Sequence, residues 1–226
     1  MQESRRTNAQ RTRATRTALV SAARDLFVDA GYAATSTPQI AAAAHVTRGA
    51  LYHHYADKRE LFRAVVEAEA EVVAREIEER TGAPDAAPGT AGAAAPSARS
   101  MLVEGARAYL DAMAVPGRTR LLLVDAPAVL GTAEADSLDA RHARRTLRAG
   151  LAAALDTPPD DDGRRDDVAR VGDDVAHDDR LDALTLLLSA AFDRAALALD
   201  GGAPPHAVRA AVTELVDRVC APRPTR

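Results

Sequence analysis

Residues 35–62 read TSTPQIAAAAHVTRGALYHHYADKRELF, and this stretch decides the fold. Thr37 suits an N-cap and Pro38 the first helical position, where a missing N–H costs little. A helix is therefore expected from Thr37 through Gln39, Ile40 and the alanines to about Ala44. His45 and Val46 form a turn. Thr47 offers a second N-cap hydroxyl, to the backbone of Gly49 or Ala50, and starts a helix from Arg48 to about Tyr55. Two short helices joined by a three-residue turn spell a helix-turn-helix.

Helices this short persist only when packed, so Ile40, Val46 and Leu51 are expected to dock inward against an upstream helix. Arg48, Gly49, Tyr52, His53 and His54 then face outward, a set of hydroxyl, imidazole and guanidinium groups suited to base edges and phosphates in a major groove. Gly49, near a helix N-terminus, lets the backbone approach an anion. Asp57 and Glu60 form a capping-box-like pair for the next helix, with Lys58 and Arg59 in its first turn. Lys58 is the only lysine in the chain. A cation at a helix start opposes the dipole, which points to a phosphate partner. His45 reads as a solvated or capping histidine, and Arg59 taken singly as ordinary surface.

Working outward, Leu19, Ala22, Ala23, Leu26, Phe27 and Ala30 recur at helical spacing, giving a helix from about Ala14 to Ala30 that ends at Gly31, with Tyr32 covering Phe27. The preceding residues 1–13, with Arg5, Arg6, Arg11 and Arg13, form a basic arm, and Arg16 continues its charge. Downstream, the apolar period continues through Phe62, Val65, Val66, Val72, Val73 and Ile77 as a long connecting helix. Residues 81–99 are Ala, Gly and Pro rich and read as a mobile loop. Further helices are expected at about 100–114, 118–130, 137–156, 180–199 and 204–219, with a kink at Pro127. Residues 157–180 are acidic, glycine-punctuated and poor in apolar residues, and read as an exposed loop. Their D-D-D-G run with His177 lacks the alternating ligands and terminal glutamate of a calcium loop, so no metal and no cofactor is expected. No nucleophile elbow or Gly-rich phosphate loop occurs, and Cys220 has no activating neighbour, so no enzyme is expected.

Composition fits a two-part chain. With 226 residues and 47% hydrophobic content there is material for one large or two modest domains. No apolar run spans a membrane, the N-terminus lacks a secretory h-region, and one cysteine excludes an intrachain disulfide, so a cytoplasmic protein is expected. The net charge of −4 divides unevenly: residues 1–60 hold nine Lys/Arg and five Asp/Glu, net +4, which leaves −8 for the rest. Only the front end is built for phosphate.

Gly31, Tyr32, Thr35, Ile40, Ala41, Ala44, Val46, Thr47, Gly49, Leu51, Tyr52, His54, Tyr55, Lys58 and Leu61 stand in the register of the DNA-binding domain of TetR/AcrR-type transcriptional regulators, which this segment resembles. The one notable departure is Tyr55, where the family usually has Phe; it keeps the aromatic body and adds a hydroxyl needing a partner. The resemblance implies an all-α protein of about nine helices: a three-helix head over residues 1–60 and a helical effector-binding and dimerisation body over 61–226. It further implies a double-stranded DNA operator, a homodimer, a small-molecule effector, no membrane partner, and a bacterial cytoplasmic location beside the nucleoid. The set of expected DNA contacts is Thr35, Thr37, Gln39, Thr47, Arg48, Gly49, Tyr52, His53, His54 and Lys58.

Family members pair through their last two helices. On these, Leu181, Leu184, Leu188 and Phe192 line one face and Val208, Val212, Leu215 and Val216 another, and they are the expected dimer interface. Tyr109, Met113, Asp125 and Phe192 are candidate effector contacts. With 3% aromatic residues and no Trp, aromatic-cage capture of a quaternary ammonium is disfavoured. The expected function is a ligand-responsive repressor on a palindromic operator; an activator on the same scaffold and a non-catalytic architectural or adaptor protein are the alternatives.

Overall fold

The computed structural model describes residues 2–82, 96–155 and 167–221. Among these every regular element is helical. The order is α1 (Gln2–Ala34), α2 (Thr37–Ala43), α3 (Arg48–His54), α4 (Lys58–Thr81), α5 (Ala98–Met113), α6 (Arg118–Arg120), a π-turn (Leu121–Asp125), α7 (Ala126–Leu130), α8 (Thr132–Arg141), α9 (Ala143–Leu155), α10 (Asp167–Asp200) and α11 (Pro205–Val219). No helix among the described residues is long and apolar enough to cross a membrane. The sequence places the domain boundary at residue 60, whereas packing divides the chain into Met1–Val72 with Pro116–Leu138, and Val73–Val115 with Asp139–Arg226. The reason is that Leu121, Ala126, Leu130 and Leu138 join Leu61, Phe62 and Val65 in one core, so the segment around 118–138 completes the first unit.

In the first unit, α1 starts at Gln2, so the expected basic arm is helical; nothing before Gly31 breaks it. Gly31 (φ 80, ψ 163) interrupts the helix where a stop was expected, and Tyr32 packs 5.6 Å from Phe27. The carbonyls left open at that end are met by side chains. Thr35 Oγ1 donates to the Gly31 and Leu26 carbonyls at 2.8 and 3.1 Å, and Lys58 Nζ to those of Tyr32 and Thr35 at 2.8 and 2.9 Å. The N-cap of α2 is Ser36, one residue before the expected Thr37, because Gln39 completes a capping box with it and leaves Thr37 in the first turn. Thr47 caps α3 as expected, accepting from Ala50 N at 3.1 Å. Asp57 and Glu60 cap α4: Glu60 N donates to Asp57 Oδ1, and Glu60 Oε2 accepts from Ala56 N.

Leu19, Ala23 and Phe27 of α1, Ile40 of α2, Leu51 of α3 and Leu61, Phe62 and Val65 of α4 are buried together. Beside them Glu69 accepts from Arg24 Nε at 2.9 Å and from Arg118 Nε at 2.8 Å, tying α1, α4 and α6 together. The helix expected over 118–130 is broken: Ala126 N bonds back to Leu121 O, the i→i+5 spacing of a π-turn. Pro127 accounts for this, since it has no N–H to donate and its ring crowds the carbonyl four residues back.

In the second unit, α5 packs on α9, α10 and α11, and α10 on α9 and α11. Ser97 caps α5, accepting from Ser100 N at 3.1 Å. The helix expected at 137–156 is two, separated at His142. The exposed loop expected at 157–180 is helical from Asp167, where a Pro-free stretch runs without interruption into the packed helix that follows it; residues 156–166 lie outside the described residues. Most of the loop expected at 81–99, residues 83–95, also lies outside them.

Gly117 supplies a test of the first unit. It has φ +76, and a Cβ placed on it would lie 2.3 Å from Val28 Cγ1 of α1, whereas Gly131 has φ +89 with open space around it. Gly131→Ala is expected to lose about 1–2 kcal/mol from backbone strain alone. Gly117→Ala is expected to lose a further ~1–3 kcal/mol from overpacking. Urea unfolding of the two variants checks the order.

Candidate functional site

In the first unit α2 and α3 present a polar face. Arg48, Gly49, Tyr52 and His53 are exposed, Tyr52 to 46% despite being aromatic. Thr37 Oγ1 and Tyr52 Oη lie 2.9 Å apart, a bond across the two helices that fixes the tyrosine rotamer. His53 and His54 stand edge to face at 5.3 Å. Burial, then the neighbouring His53 and Arg16 charges, hold the half-buried His54 below the ordinary histidine range. Arg16 of α1 lies over the Tyr55 ring, 4.8 Å from its centroid. Tyr55 closes α3 and is 2% exposed; burial pushes its hydroxyl up.

Two of the expected contacts are corrected. Thr35 is 3% exposed, with its hydroxyl spent on the end of α1, and the Lys58 ammonium lies 4.2 Å from the Tyr32 ring centroid with two of its donors on carbonyls. Both serve as a helix stop, and Lys58 thereby finds at the end of α1 the negative partner that the sequence sought in phosphate. Gln39 and Thr47 are exposed, but their side chains cap their own helices. The outward set that remains is Arg48, Gly49, Tyr52 and His53, with Thr37 and His54 at its edge.

The cations of this unit sort into two groups. Arg24, Arg59, Arg63, Arg118 and Arg120 each form an ion pair, and Arg59 also donates to Leu130 O at 2.8 Å at the end of α7. Arg11, Arg13, Arg16 and Arg48 make no ion pair among the described residues, and all four are exposed. They belong to the N-terminal part of α1 and the start of α3.

The second unit holds a cavity of about 270 Å³ bounded by α4, α5, α9 and α10. Its lining is mostly apolar, with Ile77, Met101, Leu102, Leu147, Ala153 and Phe192, and carries Thr81, Tyr109, Arg144, Thr146 and Ser189 as polar groups. Tyr109 and Phe192, two of the expected effector contacts, lie in this wall. The other two do not: Met113 is buried outside the lining, and Asp125 belongs to the first unit, 3.5 Å from Arg120. Asp193 is the polar neighbour that the sequence did not reveal, because its partner Tyr109 lies 84 residues away; the Tyr109 hydroxyl donates to its Oδ1 at 2.5 Å. Burial raises the Asp193 carboxyl from 3.8 to about 6 and pushes the Tyr109 hydroxyl well up.

The expected dimer face is also corrected. Leu181, Leu188 and Phe192 of α10 and Val212 and Val216 of α11 are buried within the single chain, and Leu184 and Val208 are half-buried. The exposed large apolar residues of these helices are Leu186 (52%), Leu187 (66%) and Leu215 (37%). Exposed Ala183 and Ala190 flank the first two at helical spacing, and Ala207 and Ala211 lie on the turns before Leu215. On a helix apolar around most of its circumference, periodicity does not say which stripe closes the chain's own core.

The model of bacterial regulatory proteins of the tetR family matches residues 19–65, and that of the tetracyclin repressor-like C-terminal domain matches residues 100–158. Both segments match models of the TetR family. The Escherichia coli transposon Tn10 TetC protein is 50% identical over 46 residues, 20% of this chain and 23% of that protein. The HTH-type transcriptional repressor BepR of Brucella suis biovar 1 is 39% identical over 62 residues, 27% of this chain and 29% of that protein. The chain thus matches less than a third of either curated relative's length. A TetR-family transcriptional regulator from Streptomyces coelicolor superposes with a TM-score of 0.64 at 20% identity over 97% of this chain and 95% of that one, a likeness of fold. Another, from Pectobacterium atrosepticum, gives 0.56 at 26% identity over 93% and 94%. The first of these matches covers the helix-turn-helix of the first unit, and the second includes part of the cavity wall of the second unit.

Asp193 predicts a pH dependence. Between 3.8 and about 6 the folded protein holds a proton that the unfolded chain has released. Its contribution is complete below 3.8, is lost as the pH rises to about 6, and stays constant above that. Asp193→Asn is expected to flatten that part of the stability profile, as read from urea midpoints across the range.

Proposed function

We propose that this protein is a ligand-responsive repressor that binds a palindromic operator as a homodimer, α3 lying in the major groove. The observation that carries this reading is the distribution of cations. Every arginine of the first unit from Arg24 onward is paired except Arg48 on α3, while Arg11, Arg13 and Arg16 on α1 are also unpaired. Exposed arginines without a carboxylate partner, together with an exposed Tyr and His on α3, are what a phosphate backbone neutralises. Tyr52 and His53 read bases, while Arg48 and the α1 arginines hold the backbone. The exposure of Leu186, Leu187 and Leu215 on α10 and α11 supports the dimer, since a second copy would cover them, and two heads related by a two-fold axis match a palindrome.

The cavity of the second unit is the proposed effector site, and α4, which contributes Ile77 and Thr81 to its wall, also carries Leu61 and Phe62 of the first unit's core. An effector that weakens operator binding must itself bind the operator complex more weakly by the same factor, typically about 5–150-fold.

Gel shift against the gene's own upstream DNA, with non-specific competitor at two salt concentrations, tests the reading: a discrete, competitor-resistant complex is expected. Only diffuse binding erased by salt would overturn specific recognition. Tyr52→Ala and His53→Ala are expected to remove operator preference with the helical circular dichroism intact. Arg13→Ala is expected to lower affinity alike for all sequences and to reduce the salt slope by about 1. Leu187→Glu is expected to give monomers by sedimentation and to weaken operator binding. Because burial and nearby cations depress His54 in the free protein and phosphate does the reverse, operator binding is expected to tighten as the pH falls through the histidine range, and His54→Gln to flatten that dependence.

A further inference from the structure

The four hydroxyls lining the cavity of the second unit have all given their protons away from it. Thr81 Oγ1 donates to the Ile77 carbonyl at 2.9 Å, Thr146 Oγ1 to Glu78 Oε1 at 3.3 Å, Tyr109 Oη to Asp193 Oδ1 at 2.5 Å and Ser189 Oγ to Asp139 Oδ2 at 3.4 Å. A hydroxyl holds one proton and two lone pairs, so each offers the cavity an acceptor and no donor. Tyr109 and Ser189 are 8% and 7% exposed, so these acceptors are withdrawn from bulk water. Arg144 is the one charged side chain of the lining, and its Nε and Nη2 are bonded to Asp139 Oδ2 at 2.9 and 2.8 Å. Three of the four hydroxyls are thus backed by carboxylates, Glu78, Asp139 and Asp193, while the rest of the wall is apolar.

We infer that this cavity takes a compact apolar amine whose ammonium N–H groups donate to the Tyr109 and Ser189 oxygens and whose hydrocarbon body packs on Phe192, Leu102 and Leu147. An anion would meet lone pairs on every hydroxyl and would have to compete with Asp139 for Arg144. A neutral alcohol can make one donation where an ammonium makes up to three, and Asp193, which unlike Asp139 and Glu78 is in no arginine ion pair among the described residues, stabilises the cation through the Tyr109 hydroxyl. The elevated Asp193 carboxyl agrees with this, since a cation placed near it relieves a buried negative charge. A quaternary ammonium lacks the N–H that the acceptors require.

The inference concerns the site given above to the effector and rests on that reading only for its regulatory meaning. It is tested on the full chain by isothermal titration with three probes of one skeleton: phenethylamine, phenethyl alcohol and phenylacetate. Phenethylamine is expected to bind about tenfold or more tighter than the alcohol, a difference of about 1.4 kcal/mol, with phenylacetate weakest. Ser189→Ala and, where it folds, Tyr109→Phe are expected to reduce that preference. Phenylacetate binding as tightly as the amine, no binding by any probe, or an amine preference unchanged in Ser189→Ala would overturn the assignment. Selective amine binding that leaves the operator complex intact would overturn the effector reading and keep the ligand class; release of the operator by phenylacetate would do the opposite.

Discussion

The first unit depends on one carboxylate. Glu69 receives Arg24 from α1 through one oxygen and Arg118 from α6 through the other, at 2.9 and 2.8 Å. Arg118 is 5% exposed and Glu69 9%, so neither charge is solvated enough to stand alone. Breaking such a pair by removing one partner typically costs about 3–5 kcal/mol, because a buried charge is left uncompensated. The consequence reaches the recognition face through geometry. With α1 clamped to α4, Arg16 lies over Tyr55 and Phe27 meets Phe62 edge to face at 5.2 Å. Tyr55 closes α3, so the pose of the helix bearing Tyr52 and His53 follows from where Glu69 holds α1.

The same unit shows how little a cation's identity says about its role. Lys58 and Arg48 lie ten residues apart beside the same motif, yet Lys58 stops a helix and Arg48 faces outward. The difference lies in partners. Two carbonyls at the end of α1 have no hydrogen-bond donors of their own once Gly31 breaks the helix, and a flexible ammonium reaches both. Arg48, at the exposed start of α3, makes no ion pair among the described residues. An inventory of satisfied and unsatisfied charges therefore separates structural from ligand-facing side chains more sharply than residue type.

Legibility in the sequence follows the range of the interactions. Local chemistry was readable: the Thr47 cap, the Gly31 stop with Tyr32 over Phe27, the Asp57–Glu60 cap and the inward Ile40 and Leu51 all depend on neighbours within a few residues. The Ser36 cap was missed by one position because Ser36 and Thr37 both suit the role, and only Gln39 closing the box decides between them. The return of 118–138 to the first unit, the Tyr109–Asp193 bond and the inward turn of Leu181 and Leu188 depend on partners far along the chain, and no periodicity encodes these. The acidic stretch misled for another reason: scarcity of apolar residues argues against burial, and the helix from Asp167 does not need burial to persist alongside its packed continuation.

That continuation, α10, joins the two proposals made for the second unit. Its inward stripe supplies Phe192 and Ser189 to the cavity wall and holds Asp193 behind Tyr109, while its outward stripe carries Leu186 and Leu187. Ser189 and Leu187 are two residues apart, on opposite sides of a rod about 10 Å across. A helix is stiff along its axis and its core is close-packed, so it answers pressure on one side by shifting or turning as a body. A ligand seated against Ser189 and a second copy seated against Leu187 therefore bear on the same element. In the dimeric reading, the ligand's route to the partner is a single helix diameter.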